Sequence, residues 1–238
     1  MKRLSIAVLV ACPHLFGAVQ GWSGNSGVAA SQYATVTSTI TACASHQAYL
    51  IVATVSAQTT ATTVTLSSTS IPSGWANGGG SSASSGSVAV AIWWAYSTSV
   101  GNSETVSVAG GSYVSVFVRC YSGVLSSSPV DQTSAATFTN SGMIQPGSVT
   151  PTQNNELVVT GIGTSIATGT PTVNGGFTVE NTVPLLGGQY FGGGLADLVQ
   201  TAATPANPLW TWSGTGNLVA VIMTFKAAAQ VTGFPSMM

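Results

Sequence analysis

The stretch that decides the fold reads Tyr113-Val114-Ser115-Val116-Phe117-Val118-Arg119-Cys120-Tyr121. Every second side chain from Val114 to Cys120 is apolar, whereas the positions between them mix Ser115, Phe117 and Arg119. This alternation has the two-residue period of a β-strand, so one face is dry and the other is mixed. A strand of this kind is typical of two sheets packed face to face.

Runs of the same kind recur along the 238 residues, and helical periodicity is almost absent. Each run is rich in Val, Ile, Thr, Tyr and Trp, and clusters of Gly, Ser, Asn and Pro separate the runs. The pattern predicts an all-β protein, namely a double-sheet, jelly-roll-like β-sandwich. The predicted strands lie near residues 34–40, 49–56, 62–67, 88–96, 104–108, 113–121, 135–139, 156–163, 177–182, 190–200, 209–212 and 218–226.

The two halves of the chain resemble each other. Tyr49 begins an apolar run that matches the run beginning at Glu156, an offset of 156 − 49 = 107 residues. Val114 likewise matches Leu218, an offset of 218 − 114 = 104, and this places Tyr121 on Phe225. We therefore expect pseudo-repeats over about 34–125 and 135–228. One continuous β-sandwich over 22–238 is preferred to two small ones, because the connecting segment contains a predicted strand.

Charge is scarce. Only 4 % of the residues are charged, against about 25 % in an average soluble domain. Apart from Lys2 and Arg3, the only basic residues are Arg119 and Lys226. Nucleic-acid binding and a polybasic membrane patch both need basic clusters, so the composition argues against either partner. Neutral surfaces repel one another little, which favours self-association or contact with other surface proteins.

The N-terminus has the pattern of a leader. Lys2 and Arg3 precede an apolar run, so residues 1–21 are interpreted as a signal peptide or an apolar N-terminal segment. The run Leu9-Val10-Ala11-Cys12 also resembles a lipobox, with Cys12 as the lipid anchor. The expected location is secreted or at the cell surface, with a virion as the alternative. No other run reaches the ~18 apolar residues that suggest a membrane span.

Cys43 and Cys120 are the only cysteines beyond the leader. A secreted protein permits a disulfide between them. Because Cys120 continues the apolar face of its strand, a buried free thiol is the alternative. Two cysteines without further ligands at metal spacing predict no zinc site.

Catalytic chemistry has little support. His14 lies in the leader, His46 precedes a strand in a turn context, and no Gly-x-Ser-x-Gly elbow is present. Asp197 shares a face with apolar neighbours, so it needs a partner, and Arg119 or Lys226 would supply an ion pair. Glu104 and Glu156 stand at strand starts, where a charge is commonly solvated. We expect no enzyme activity, no cofactor and no metal.

Tryptophans suggest a binding alternative. Trp210 and Trp212 alternate on a short strand and project from one face, and Trp75 lies in a loop-like setting. Sugar rings stack on such platforms. The competing interpretation places Trp210 and Trp212 in the core, and solvent exposure distinguishes the two.

Several short motifs resemble bacterial extracytoplasmic modules found in surface proteins and phage structural proteins. They are Leu50-Ile51-Val52-Ala53, Tyr121-Ser122-Gly123-Val124, Ser128-Pro129-Val130-Asp131-Gln132, Asn155-Glu156-Leu157-Val158-Val159, Gly175-Gly176-Phe177-Thr178 and Phe225-Lys226-Ala227-Ala228. The resemblance implies an outward-facing β-sandwich without assigned activity. The expected function is therefore a non-catalytic structural or adhesive module of a cell surface, extracellular filament or virion. Carbohydrate binding is the alternative, with a hydrolase or an ice-binding surface over Thr59–Thr65 less favoured.

Overall fold

A computed structural model describes residues 20–21, 27–31, 35–41, 49–57, 65–68, 75–77, 81–82, 88–97, 103–109, 114–166, 169–183 and 192–229. Every regular element in these residues is a β-strand, and all strand pairs are antiparallel. The predicted all-β class is therefore confirmed for this part of the chain. None of its segments forms a helix that is long and apolar enough to cross a membrane.

Three sheets contain all the described strands. The first is built from β1 (Gln20–Gly21), β2 (Gly27–Ser31), β4 (Tyr49–Ala57), β6 (Ala76–Asn77), β7 (Ser81–Ser82), β8 (Ala89–Ser97) and β10 (Val114–Ser122). The second is built from β11 (Val130–Ile144), β12 (Glu156–Thr164), β13 (Thr172–Val173), β14 (Thr178–Val183), β15 (Gly192–Gln200) and β16 (Trp210–Phe225). The third is built from β3 (Thr35–Thr41), β5 (Thr65–Ser68) and β9 (Ser103–Ala109).

The first two sheets share one order of strands. The first contains the path β2–β10–β4–β8–β6, and the second has the path β11–β16–β12–β15–β14. The register also agrees, because Leu50 pairs with Tyr121 and Leu157 pairs with Phe225. These are the positions that the sequence offsets of 107 and 104 residues make equivalent. The resemblance between the halves therefore extends from residue type to strand order and pairing.

One hydrophobic cluster contains side chains from both of these sheets. Val90, Ile92, Phe117 and Tyr121 come from the first sheet, and they cluster with residues of β12, β15 and β16. The ring of Trp94 contacts the ring of Phe225 edge-on, with 6.5 Å between centroids. The mixed face of β10, which carries Ser115, Phe117 and Arg119, is thus buried toward the second sheet rather than solvated.

The other face of β10 is buried as well. Val114, Val116 and Val118 are fully buried, and Cys120 is 3 % exposed. The third sheet contributes buried Val106 and Val108, and its strand β3 contacts β10. Both faces of β10 are therefore buried, and Arg119 is largely shielded from solvent even though it lies on the mixed face.

Strands β11 and β16 form a long antiparallel pair whose register shifts at three places, two of them between Phe138 and Met143. Gly142 lies at this irregularity, and a Cβ added there would stand 2.4 Å from the carbonyl oxygen of Gly214 and 2.9 Å from that of Trp212. Both obstacles are backbone atoms, so neither can move aside cheaply. The close approach of the two strands therefore requires glycine at position 142.

Gly142→Ala is expected to lower the free energy of unfolding by about 1–3 kcal/mol, because the extra methyl group forces backbone apart. The control is Thr139→Ala, an exposed position on the same strand, where we expect a change within about 0.5 kcal/mol. Chemical denaturation measures both. Equal midpoints for Gly142→Ala and the parent would contradict the close approach.

Candidate functional site

A polar network lies between the first two sheets. The Nε atom of Arg119 on β10 lies 3.0 Å from Oδ2 of Asp197 on β15. The Nη1 atom of the same guanidinium forms an ion pair with Glu180 on β14. The Nε–H is not directed at the carboxylate, so the Asp197 contact is an ion pair rather than a linear hydrogen bond. The Tyr121 hydroxyl donates a hydrogen bond of 2.5 Å to the same Oδ2. The structure thus brings together Arg119 and Asp197, the two residues that the sequence pairs.

The side chains of Arg119, Glu180 and Asp197 are only 13 %, 15 % and 11 % exposed. Burial raises the pKa of Asp197, and the Arg119 charge and the Tyr121 hydrogen bond oppose that rise. Burial also raises the pKa of Tyr121 well above its ordinary value, as does the negative charge of Asp197. Tyr121 therefore acts as a hydrogen-bond donor at physiological pH, and nothing in this geometry activates it as a base.

Two members of the network were not singled out by the sequence. Tyr121 lies two residues after Arg119, so strand alternation places both on one face, and a buried tyrosine hydroxyl ordinarily has a partner. The sequence around Glu180 gives no sign of a partner for its carboxylate. Its contact with Arg119 depends on β14 pairing with β15, which no local pattern reveals.

A second polar cluster lies where β11 begins and β16 ends. Lys226 Nζ is 3.4 Å from Asp131 Oδ1, and the backbone N–H of Thr152 donates to Asp131 Oδ2 at 2.7 Å. Glu156, the first residue of β12, accepts a hydrogen bond from the Gln153 N–H at its Oε1, at 3.2 Å. Its Oε2 is buried without a well-aligned hydrogen bond. Lys226 therefore pairs with Asp131 and not with Asp197, the alternative left open by the sequence.

Glu156 is 0 % exposed, so its interpretation as a solvated strand start is wrong. The segment before it folds over the carboxyl group, because Gln153 also donates from its side chain to the Ala227 carbonyl. Burial, followed by the charge of Asp131, raises the pKa of Glu156 to about 7, and the Thr224 hydroxyl opposes that rise. For Asp131, burial is outweighed by hydrogen bonds from Thr152 and Lys226, so its pKa is lowered.

The proposed sugar platform is not exposed. Trp210 is 0 % exposed and Trp212 is 3 % exposed, and both belong to a hydrophobic cluster. Trp210 Nε1 donates to the Thr160 hydroxyl at 3.0 Å, which satisfies the indole inside the core. Neither ring presents a face to solvent, so the structure places both in the core, as the competing interpretation had it, and not on a stacking platform. Trp75 is half-buried.

Cys120 is disulfide-bonded, so the alternative of a buried free thiol is wrong. Its partner lies outside the described residues, as do Cys43 and Cys12. His14, His46, residues 59–64 of the threonine-rich run and almost all of the leader also lie outside them. In the part of the chain that the structure describes, no group of three or more His, Cys, Asp or Glu residues could hold a metal ion.

A shallow cavity of about 220 Å³ opens beside the 201–208 loop. Its lining is neutral and consists of Gly175, Phe177, Leu198, Gln200, Thr204, Pro205, Ala206, Asn207 and Pro208. The Gln200 amide is turned inward and donates to the Thr204 hydroxyl at 2.6 Å. The cavity therefore offers apolar contact and neutral hydrogen-bonding groups, and no titratable side chain.

Comparison with known proteins gives no match. No protein-family model matches the chain, and no curated protein and no solved structure is significantly similar to it. The resemblance of the short motifs to extracytoplasmic surface modules therefore stays a prediction.

The inter-sheet network predicts strong coupling between Arg119 and Asp197. Arg119→Met should cost about 3–5 kcal/mol of unfolding free energy, because it leaves the carboxylates of Asp197 and Glu180 buried without their cation. Asp197→Asn should cost less, because Arg119 keeps its ion pair with Glu180. The double variant should lose clearly less than the sum of the two. Denaturant unfolding of all four proteins measures the coupling. Additive losses would show that the two side chains do not stabilise each other.

Because the pKa of Glu156 is raised, we expect the free energy of unfolding to fall as the pH rises from about 4.5 to about 7. This pKa is raised from 4.5 to about 7 in the folded chain, so folding retains a proton that the unfolded chain releases. The slope reaches at most about 1.4 kcal/mol per pH unit. Asp197 acts in the same direction at lower pH, and Asp131 acts in the opposite direction. Thermal melting across this range should show the fall in the parent.

The matched variant for this measurement is Glu156→Gln, which keeps the size of the side chain and removes the titration. Its melting temperature should change less with pH than that of the parent. If the melting temperatures of the parent and of Glu156→Gln change with pH in parallel, Glu156 is not the source of the pH dependence.

Proposed function

We propose that the chain is a non-catalytic structural or adhesive module of a cell surface, extracellular filament or virion, and that it acts by self-association. The observation that carries this proposal is the outer edge of β11. This strand ends the path of the second sheet, and among the described strands none pairs with its outer side. An unpaired strand edge is a ready template for pairing with another chain.

The edge of β11 lacks the usual protection by charge. Asp131 is the only charged residue in the strand, and Lys226 pairs with it. Phe138 and Met143 are 50 % and 55 % exposed. Natural edge strands are commonly guarded by lysine, proline or bulges. Here the register shifts flank a regular run over 133–138, so that run is the segment available for pairing.

A two-layered architecture supports the same role. We infer that the first two sheets are the layers of one β-sandwich and that their shared strand order reflects an internal duplication. The support is the mixed hydrophobic cluster and the network from Arg119 to Asp197 and Glu180, which joins β10 to β15 and β14. Such a body is rigid and presents its long edge strand at one side, as an assembling module requires.

Carbohydrate binding is less well supported than assembly. The rings on which it was based, Trp210 and Trp212, are buried. The neutral cavity around Phe177 and Gln200 is shallow, and it lacks the paired aromatic faces of a sugar platform.

Phe138→Lys and Met143→Lys, made together, should abolish self-association, because they place two like charges on each copy of the edge. Light scattering coupled to size-exclusion chromatography over a concentration series measures the effect. The parent should form larger species that persist at high salt, since few charges are available for screening.

The control is Thr178→Lys, an exposed position on β14 at the opposite end of the same sheet. It adds charge without touching β11, so association should persist. A parent that stays monomeric at all concentrations, or loss of association only in Thr178→Lys, would overturn the assignment of the β11 edge.

A further inference from the structure

The second polar cluster brings three complementary chemical groups together. Lys226 supplies an amine 3.4 Å from a carboxylate oxygen of Asp131, and Glu156 supplies a fully buried carboxyl group. The consecutive backbone N–H groups of Thr152 and Gln153 donate to Asp131 and to Glu156, so the two carboxyl groups are held next to each other. The side chain of Asp131 is only 5 % exposed. An amine held against a carboxyl group beside a buried acid has all the parts needed to form an amide.

We propose that Lys226 and Asp131 form an intramolecular amide bond between β16 and β11, with Glu156 as the proton-transfer group. The overall change is the condensation of one amine with one carboxyl group and the release of one water molecule. No oxidant, metal or cofactor is consumed, so the folded chain contains everything that the reaction requires.

The reaction takes place in four steps. One ammonium proton of Lys226 passes to Asp131 Oδ1, which leaves a neutral amine and a neutral acid. The amine nitrogen attacks Cγ of Asp131, and Oδ2 takes up the negative charge. Glu156 donates its proton to Oδ1, the Cγ–Oδ1 bond breaks, and water departs. Glu156 then recovers a proton from the nitrogen, so it is unchanged at the end.

The surroundings favour the steps that follow the first proton transfer. The Thr152 N–H lies 2.7 Å from Oδ2 and is positioned to stabilise the oxyanion. With a pKa near 7, Glu156 holds its proton in a large fraction of molecules at neutral pH. Lys226 keeps 32 % of its side chain exposed, which gives the released water a path to solvent.

Proximity lowers the barrier to condensation. Free amines and acids do not condense usefully in water, but groups held in contact react with effective molarities of about 10⁵–10⁸ M. Val130 and Phe225 are paired in register next to the reacting residues, so the strands hold the two groups together. The bond would link the beginning of β11 covalently to the end of β16, its neighbour in the second sheet. It does not depend on assembly through the outer edge of β11.

The scarcity of basic residues makes the test simple. Trypsin cleaves after Arg119 and Lys226, but it does not cleave after an acylated lysine. The purified chain is kept at neutral pH, then denatured, reduced and digested. We expect one continuous peptide from Cys120 past Lys226 whose mass is lower than its sequence predicts by one water molecule. Cleavage after Lys226, with full masses for both products, would overturn the proposal.

Variants test the role of each group. Lys226→Arg keeps the charge and the trypsin site but provides no amine for this reaction, so cleavage should occur after position 226. Glu156→Gln should also restore that cleavage, with circular dichroism verifying that the variant is folded. Glu104→Gln, in the third sheet, is the control and should cross-link as the parent does. Cross-linking of Glu156→Gln at the parental rate would overturn the role of Glu156.

The cross-link and the proposed self-association can be tested independently of each other. Phe138→Lys with Met143→Lys changes the outer edge of β11 and leaves Lys226, Asp131 and Glu156 in place. This variant should therefore cross-link fully even though it no longer associates. Loss of the cross-link in that variant would contradict the local mechanism.

Discussion

The structure depends on one buried cation. Arg119 lies between two sheets, and a guanidinium in that position is tolerable only if carboxylates reach it from the opposite layer. Asp197 and Glu180 do so from neighbouring strands, and Tyr121 completes the coordination of Asp197. This requirement couples β10 to β15 and β14 more specifically than apolar packing does. Apolar side chains can slide past one another at little cost. The two ion pairs of Arg119 and the hydrogen bond of Tyr121 need defined distances, so they specify one relative placement of the two sheets.

Six of the nine charged residues lie in the two polar clusters: Arg119, Asp197, Glu180, Lys226, Asp131 and Glu156. Charge in this protein therefore serves mainly to join strands and sheets, and the outer surface relies on hydroxyl and amide groups for hydration. Such a surface gives adjacent copies little electrostatic reason to separate. The internal use of charge and the proposed self-association would thus both follow from the same composition.

Strand alternation allowed much of the fold to be predicted. The two-residue period located most strands, and the isolated polarity of Asp197 on an apolar face led to Arg119. Alternation alone did not decide the placement of Trp210 and Trp212, because it separates the two faces of a strand without showing which face is buried; the structure buries both rings and exposes Thr211 between them. Glu156 was misjudged for a related reason. Its burial comes from the segment that contains Gln153, and the folding of that segment over β12 is not a local property of the strand.

The shared strand order gives one contact between the sheets a counterpart. With the offsets of 104 residues for β10 and 200 − 97 = 103 residues for β8, Tyr121 corresponds to Phe225 and Asp197 corresponds to Trp94. The hydrogen bond of Tyr121 with Asp197 therefore has as its counterpart the edge-on contact of Phe225 with Trp94. A symmetric dimer with an isologous interface would be obliged to repeat every such contact on both sides of its dyad. Because both halves belong to one chain, a charged contact can stand on one side and an aromatic contact on the other. The interface thus carries the desolvation cost of its arginine once instead of twice.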